Sequence, residues 1–396
     1  MIWLDRLTGV VLACFGRLGT ERAWNAGNAP LRTLVEAMAI PCDKCQRVST
    51  GVCRMKFGLF GGAKSGGDAS ADSQSYRKFI DYVLLAEELG YQSLFVVEHH
   101  FTGNSQVSAS LNLLSYIAGR TQNMRLGTAV VVLPWHNPVL LAEQVATLDL
   151  LSGGRFDFGV GKGYRDAEFE SFCIPKAEAT ERFEECMALL RKAWTTPGRF
   201  THQGKHWNFR NIVVEPRPVQ QPHPPFWMGA GSPDGIRRAG QEGYNLLLDQ
   251  IAPIELTIER VAIYRAEIER QGQRFDGMRV GVTRAVQIVR NEEERRNAFA
   301  QRRKTLSAIG ALARGPGAER YQNAQSFADA DLAAENAALI GTPDEIIRQL
   351  RQLERGGVEY VLLIDSTGSD QTLRAFANEV MPEFRATAAA PAAAHS

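Results

Sequence analysis

From Met55 onward, short apolar runs alternate with stretches in which apolar residues recur every three or four positions. The first period reads as strands and the second as amphipathic helices. "KFGLF" (56–60) precedes "YRKFIDYVLLAEELG", whose Phe79, Tyr82, Val83, Leu85 and Ala86 share one helical face. "SLFVV" (93–97) is followed by a helix around "ASLNLLSYIAGR". "MRLGTAVVVL" is a third strand, and "NPVLLAEQVATLDLLSGG" its helix, with Pro138 in the first turn and a Gly-Gly stop. "RFDFGVG" and "ATERFEECMALLRKAW" make a fourth pair, after which "GRFTHQGKHWNFRNIVVEP" alternates about a Gln-Gly turn and predicts an inserted hairpin. "PFWMG", "YNLLLDQ", "RVGVTRAVQIV" and "YVLLID" predict strands five to eight, each followed by a helical pattern. After the seventh, a charged helix runs into an Ala/Gly-rich insertion over 307–338. Eight such units predict an α/β fold: a (β/α)8 TIM barrel over residues 55–385, with a hairpin after strand 4 and an insertion after strand 7. A doubly wound open sheet is the alternative.

Composition narrows the partners. Lys plus Arg (45) nearly balances Asp plus Glu (44), so no charge excess points to nucleic acid. No apolar run approaches the ~20 residues of a membrane helix. The first 54 residues depart from the rhythm and read as a poorly ordered appendage, or as sequence upstream of the natural start at Met55. "LTGVVLACFGRLG" is too weak for a signal peptide, and "VLAC" matches a lipoprotein cleavage box only loosely. Cys42 and Cys45 form a CxxC near Cys53, with Cys14 far upstream; a zinc site wants a second close pair, so no metal is expected. Cys173 and Cys186 read as core or surface thiols, and a reducing, cytoplasmic setting fits all six. The Ala-rich end, 386–396, reads as a disordered tail.

In a barrel, catalytic groups hang from the C-terminal ends of the strands. Glu98, His99 and His100 come directly after strand 2. They are poor core material, so the rim is where they cost least; a pair of surface histidines capping a loop is the bland alternative. Trp135, His136 and Asn137 come after strand 3, where a flat ligand could meet an indole and an imidazole. "GVGKGYRD" comes after strand 4: Gly159, Gly161 and Gly163 allow close approach, and Lys162 offers a charge. Tyr164 occupies the last glycine position of a GxGxxG fingerprint, and no GxxxxGK[ST] occurs, so neither dinucleotide motif is present. "GAGSPDG" comes after strand 5, with Ser232 as N-cap and Pro233 at the first helical position, which predicts an anion site.

"MKFGLF", "EHHFT", "GTAVVVLPWHNP", "LDLLSGGRFDFGVGKGY" and "MGAGSPDG" together resemble the bacterial luciferase-like superfamily of flavin-dependent monooxygenases, in order from about Met55 to Phe384. The resemblance implies a barrel with an inserted hairpin and a mobile lid after strand 7, and reduced FMN held over the rim. His99 matches the family's general base, His100 is a supporting neighbour, and Glu98 orients the pair or lies near the flavin. Ala129 and Val130 match a non-proline cis peptide beneath the ring. Lys162 stands where a phosphate-contacting arginine occurs, with Gly163 and Tyr164 beside it, and Gly229, Ala230, Gly231 and Ser232 match the phosphate loop. Gly161 replaces the luciferases' reactive cysteine, so light emission is not expected, and the glycine should leave room at the ring. With no nicotinamide motif, a separate flavin reductase would supply FMNH2, and one atom of O2 would pass to a small organic substrate. The rival cofactor on this fold is deazaflavin F420, and a non-catalytic flavin-binding protein is the third reading. The family also implies a homodimer through the helices after strands 2 and 3. "GGAKSGGDASADSQS" and 307–338 should line the pocket.

Overall fold

The protein is described from a computed structural model over residues 55–64, 67–102, 107–314, 330–365 and 367–385. The expected appendage (1–54) with its four cysteines, the tail (386–396) and the 315–329 part of the expected lid lie outside these residues. The eight expected strands form a parallel barrel: β1 (Lys56–Gly61), β2 (Ser93–Val96), β3 (Arg125–Thr128), β4 (Phe156–Gly161), β5 (Phe226–Gly229), β6 (Asn245–Leu248), β7 (Val280–Ile288) and β8 (Tyr360–Asp365). Each pairs with the next, and β8 returns to β1 with Lys56 opposite Tyr360, which excludes the open sheet.

Alternation along the strands sorts their side chains into two cores. Outward residues such as Phe57, Leu94, Leu126, Phe158 and Val282 pack under the helices. Inward, Phe95, Trp227, Leu247, Tyr360 and Leu362 fill the lumen, with Phe95 edge-on to Trp227 at 5.5 Å. The barrel is therefore plugged, and chemistry is confined to the rim above the plug.

Helix α1 (Ala69–Glu88) begins seven residues before its expected start at Tyr76. The cause is Asp68, whose carboxylate accepts the N–H groups of Ser70 and Ala71 at 2.9 Å and caps a turn of loop-like composition. Half of the supposed pocket-lining loop is thus helix. Helices α2 (Ser110–Ala118) and α3 (Pro138–Leu151) come after β2 and β3; Asn137 caps α3 and Pro138 opens it. The expected third strand is broken: after Thr128 comes a cis peptide between Ala129 and Val130, and only Val131–Val132 resume pairing, against β4. A short helix that the sequence pattern does not reveal, α4 (Asp166–Ser171), precedes α5 (Ala179–Thr195).

The hairpin expected after strand 4 pairs Phe200–Gln203 with Asn208–Ile212. It is pinned to α5 by Glu185, which accepts the N–H groups of His206 and Trp207. Helices α6 (Pro233–Gln241) and α7 (Ile254–Arg270) come after β5 and β6. After β7 come α8 (Glu292–Arg314), α9 (Ala330–Ala337) and an unexpected three-residue strand, Leu339–Gly341, that lies against β7. Helices α10 (Pro343–Arg355) and α11 (Asp370–Glu379) flank β8. Among the described residues no helix is long and apolar enough to cross a membrane, and no cluster of metal-ligating side chains occurs. Cys173 is exposed and Cys186 buried.

Candidate active site

The lumen residue Phe95 sets the phase of the residues after β2. Alternation carried past the strand end sends His99 toward the mouth, and Glu98 and His100 outward together. Their contacts agree. The Glu98 carboxylate is only 3% exposed; Oε1 lies 3.2 Å from His100 Nε2 and 2.8 Å from His136 Nε2, while Oε2 accepts the Val132 N–H at 2.7 Å. Burial alone would raise its pKa, but the two imidazoles and the Val132 N–H outweigh it and hold the carboxyl down at about 2. Glu98 is therefore a buried anion tying the end of β2 to the segment after β3. It orients His100 and His136, not His99.

His99 has a different partner. Its Nδ1 lies 3.1 Å from Oε1 of Glu168, on α4, and the same oxygen accepts the His100 N–H at 2.9 Å. Arg165 stands 3.7 Å from that oxygen, and both groups are buried. Burial holds the His99 imidazole below its usual pKa and the Arg165 charge adds to this, while Glu168 and Glu98 pull the other way. The neutral imidazole is favoured. With Nδ1–H given to the carboxylate, Nε2 is left as the basic nitrogen. Nothing in the sequence marks Glu168: it is an acid in a six-residue helix, 69 positions from its partner.

Trp135 and Phe172 stack at 5.2 Å, and His100 meets both edge-on. This packing, together with Glu98, explains why His100 and His136 belong to the wall behind His99. Tyr164 is exposed, edge-on to His99 at 6.3 Å, with the Arg165 guanidinium over its ring at 5.5 Å. Lys162 is exposed on the same turn. Gly163, between them, holds φ +76°, and a Cβ there would reach Val132 at 2.7 Å.

The cis peptide Ala129–Val130 follows β3 directly, with the Ala129 N–H donated to the Val96 carbonyl at the end of β2. It fits because β4 lacks side chains where it passes: a Cβ on Gly159 would lie 1.7 Å from the Thr128 carbonyl oxygen. Gly161 does not leave the expected room, because a methyl of Val130 lies 2.5 Å from where its Cβ would be. Valine at 130 occupies what a side chain at 161 would claim. Gly229 also abuts Val130, at 3.3 Å from a notional Cβ, and begins the turn through Ala230, Gly231 and Ser232 into α6. Ser232 Oγ accepts the Gly235 N–H at 3.2 Å. A small-residue shelf, a helix N-terminus and a neutral histidine thus share one rim. These are the parts a flat ring with an anionic tail requires.

The family profile described as luciferase-like monooxygenase matches residues 55–360. The oxygenase component of flavin-dependent trigonelline monooxygenase from Acinetobacter baylyi is 27% identical over 350 residues, 83% of this chain and 96% of that protein. A Sinorhizobium fredii protein, "Uncharacterized protein y4vJ", is 34% identical over 194 residues; there the match spans 49% of this chain and 55% of the relative. Among solved structures, monooxygenase RslO1 from Streptomyces bottropensis superposes with a TM-score of 0.71 at 26% identity, covering 83% of this chain and all of that one.

Proposed function

The chain belongs to the luciferase-like monooxygenase family, and from that premise we propose that it is the oxygenase component of a two-component, FMN-dependent monooxygenase. The observation that carries this reading is His99, held toward its neutral form and braced by Glu168, after β2 on the same rim as the Ala129–Val130 cis peptide after β3. Reduced flavin, when bound, supplies the electrons that activate O2. The chain's own residues do the rest. Ala129 and Val130 support the ring plane; Gly229, Ala230, Gly231 and Ser232, with the α6 N-terminus, hold the phosphate, and Lys162, Gly163 and Tyr164 close on it from the β4 side. His99 Nε2 takes or returns a proton beside the substrate, and Glu168 fixes its tautomer. Glu98 does not touch the reaction; it fixes the wall on which His99 stands.

A flavin reductase is the partner that delivers FMNH2, in the cytoplasm, and the substrate is a small organic molecule. The protein is a homodimer through α2 and α3, a reading supported by Tyr116, Leu140 and Leu151, which are 54%, 53% and 60% exposed on those helices. Residues 1–54 are an appendage that the barrel does without.

The test is an anaerobic titration with FMNH2, then O2 and a panel of organic substrates, followed by product mass. A gain of one oxygen atom is expected. Binding of F420 with hydride transfer and no use of O2 would replace this reading, and flavin binding without turnover would make the chain a carrier.

A further inference from the structure

Beneath the turn at Gly231 lies a group of arginines with no part in the proposed reaction. A Cβ on Gly231 would stand 3.4 Å from both Arg260 Nη2 and Asp249 Oδ2, so glycine there admits an ion pair under the backbone. Arg260, on α7, donates to Asp249 Oδ2 at 2.8 Å. Asp249, just past β6, is braced in turn: its Oδ1 accepts the N–H groups of Ile251 and Ala252 at 2.8 and 2.9 Å.

Two more guanidiniums adjoin this pair. Arg284 of β7 is fully buried and donates to the Asp249 and Thr283 carbonyls and to Thr257 Oγ1. Arg302 of α8 is 1% exposed and donates to the side-chain and main-chain oxygens of Gln250 at 2.8 and 3.4 Å. Their Nε atoms have no hydrogen-bond partner among the described residues. Burial draws both pKa values down to about 10, and for Arg284 the charges of Arg260 and Arg302 add to the effect while Asp249 opposes it. Both therefore stay charged at neutral pH. Among the described residues, Asp249 is the one carboxylate bonded to any of the three. Arg260, partly exposed, is matched by Asp249, which leaves the two buried cations, Arg284 and Arg302, without a carboxylate of their own, an arrangement that opposes folding unless an anion completes it.

We propose that Arg260, Arg284 and Arg302 form a cationic base under the phosphate turn, which selects a ligand ending in a phosphate dianion and couples its binding to the seating of α8. The proposal rests on the reading that the Gly229–Ser232 turn holds the flavin phosphate. Arg260 acts as a positioning residue: it supports the turn through Asp249 and sets the sign of the field there. Arg302 brings α8, the first element after β7, into the same electrostatic unit. An anion above Gly231 thus relieves repulsion that would otherwise loosen the helix.

The experiment compares FMN with riboflavin, which differ only in the phosphate, on the wild-type chain and on Arg260→Met and Arg302→Met, with melting curves run alongside. Wild type should prefer FMN, and Arg260→Met should lose at least tenfold in FMN affinity with riboflavin changed less than twofold. Arg302→Met should lose three- to tenfold for FMN alone, yet melt at the same temperature as wild type or higher without ligand, because a buried unpaired charge is gone. Hydrogen exchange over 292–314 should slow with FMN more than with riboflavin in wild type, and equally with both in Arg302→Met. Should Arg260→Met fail to fold, Arg302→Met decides. A wild-type preference for FMN that survives the substitutions defeats the cationic base alone. A wild type that binds both flavins equally, or neither, defeats the phosphate reading and this inference with it.

Discussion

His99 Nδ1 and Glu168 Oε1 stand 3.1 Å apart, one at the end of β2 and the other on α4 beyond β4. The pair converts an exposed-looking motif into a directed base, because a carboxylate on one ring nitrogen decides which face of the imidazole remains reactive.

Replacing His99 by alanine should lower product formation about 100- to 10,000-fold, the range for a positioned general acid or base. Affinity for reduced FMN should change by no more than a few-fold. Oxygen should still be consumed but appear as hydrogen peroxide. Oxygenation at the wild-type rate would reduce "EHH" to a structural rim motif.

The pH profile should report the same residue. His99 is held below the ordinary value of about 6.5, so kcat/KM should keep its neutral-pH level until below that pH and then fall. Glu168 raises the His99 pKa against burial, so Glu168→Gln should move the acid limb to lower pH while also slowing turnover. A limb that stays in place in Glu168→Gln would separate Glu168 from the base.

Glu98 makes a prediction about stability. Its folded pKa of about 2 lies below the unfolded value of about 4.3, so its contribution is present above pH ~4.3 and is lost as pH falls toward 2. Glu98→Ala should cost about 1–3 kcal/mol in urea unfolding at pH 7, the scale for leaving buried hydrogen-bonding groups without their partner. That gap should narrow between pH ~4.3 and about 2. An unchanged unfolding midpoint at pH 7 would remove Glu98 from the wall.

Lys162→Ala should weaken FMN binding by ~1–3 kcal/mol, as for a hydrogen bond to a charged group, and leave riboflavin nearly unaffected. Equal losses would place the phosphate away from the β4 turn.

Light scattering should give a dimer at micromolar concentration. Leu140→Lys with Leu151→Lys should shift it to monomer, since burying each leucine is worth ~1.5–3 kcal/mol. A wild-type monomer would exclude α2 and α3 as the interface, and a double variant that still dimerises would exclude α3.

How much of the molecule is legible in its sequence depends on the range of the forces involved. Strands such as "SLFVV" and "YVLLID" declare themselves because a parallel strand buried on both faces must be apolar throughout. Glu98 and His99 are visible because three ionisable residues directly after such a strand have few places to go. The partner of His99 is not, because nothing in "RDAEFES" distinguishes Glu168 from a solvated acid until α4 folds back over the rim. The same holds at Gly161, where the sequence suggests space and only the three-dimensional path of Val130 fills it. Helix α1 starts earlier than its pattern suggests for a local reason: Asp68 is a cap set among residues of loop-like composition.

The seam between β1 and β8 has a consequence for how the protein is made. Tyr360 donates its hydroxyl to Ser93 across 267 residues of chain, in the lumen of the closed barrel. At synthesis rates of about 5–20 residues per second, roughly 13–53 seconds separate the emergence of these two partners. Through that interval β1 offers an unpaired edge, the kind of surface on which chains associate wrongly. A nascent chain halted before Tyr360 should accordingly need a holding chaperone, and release from it should coincide with the arrival of the last strand.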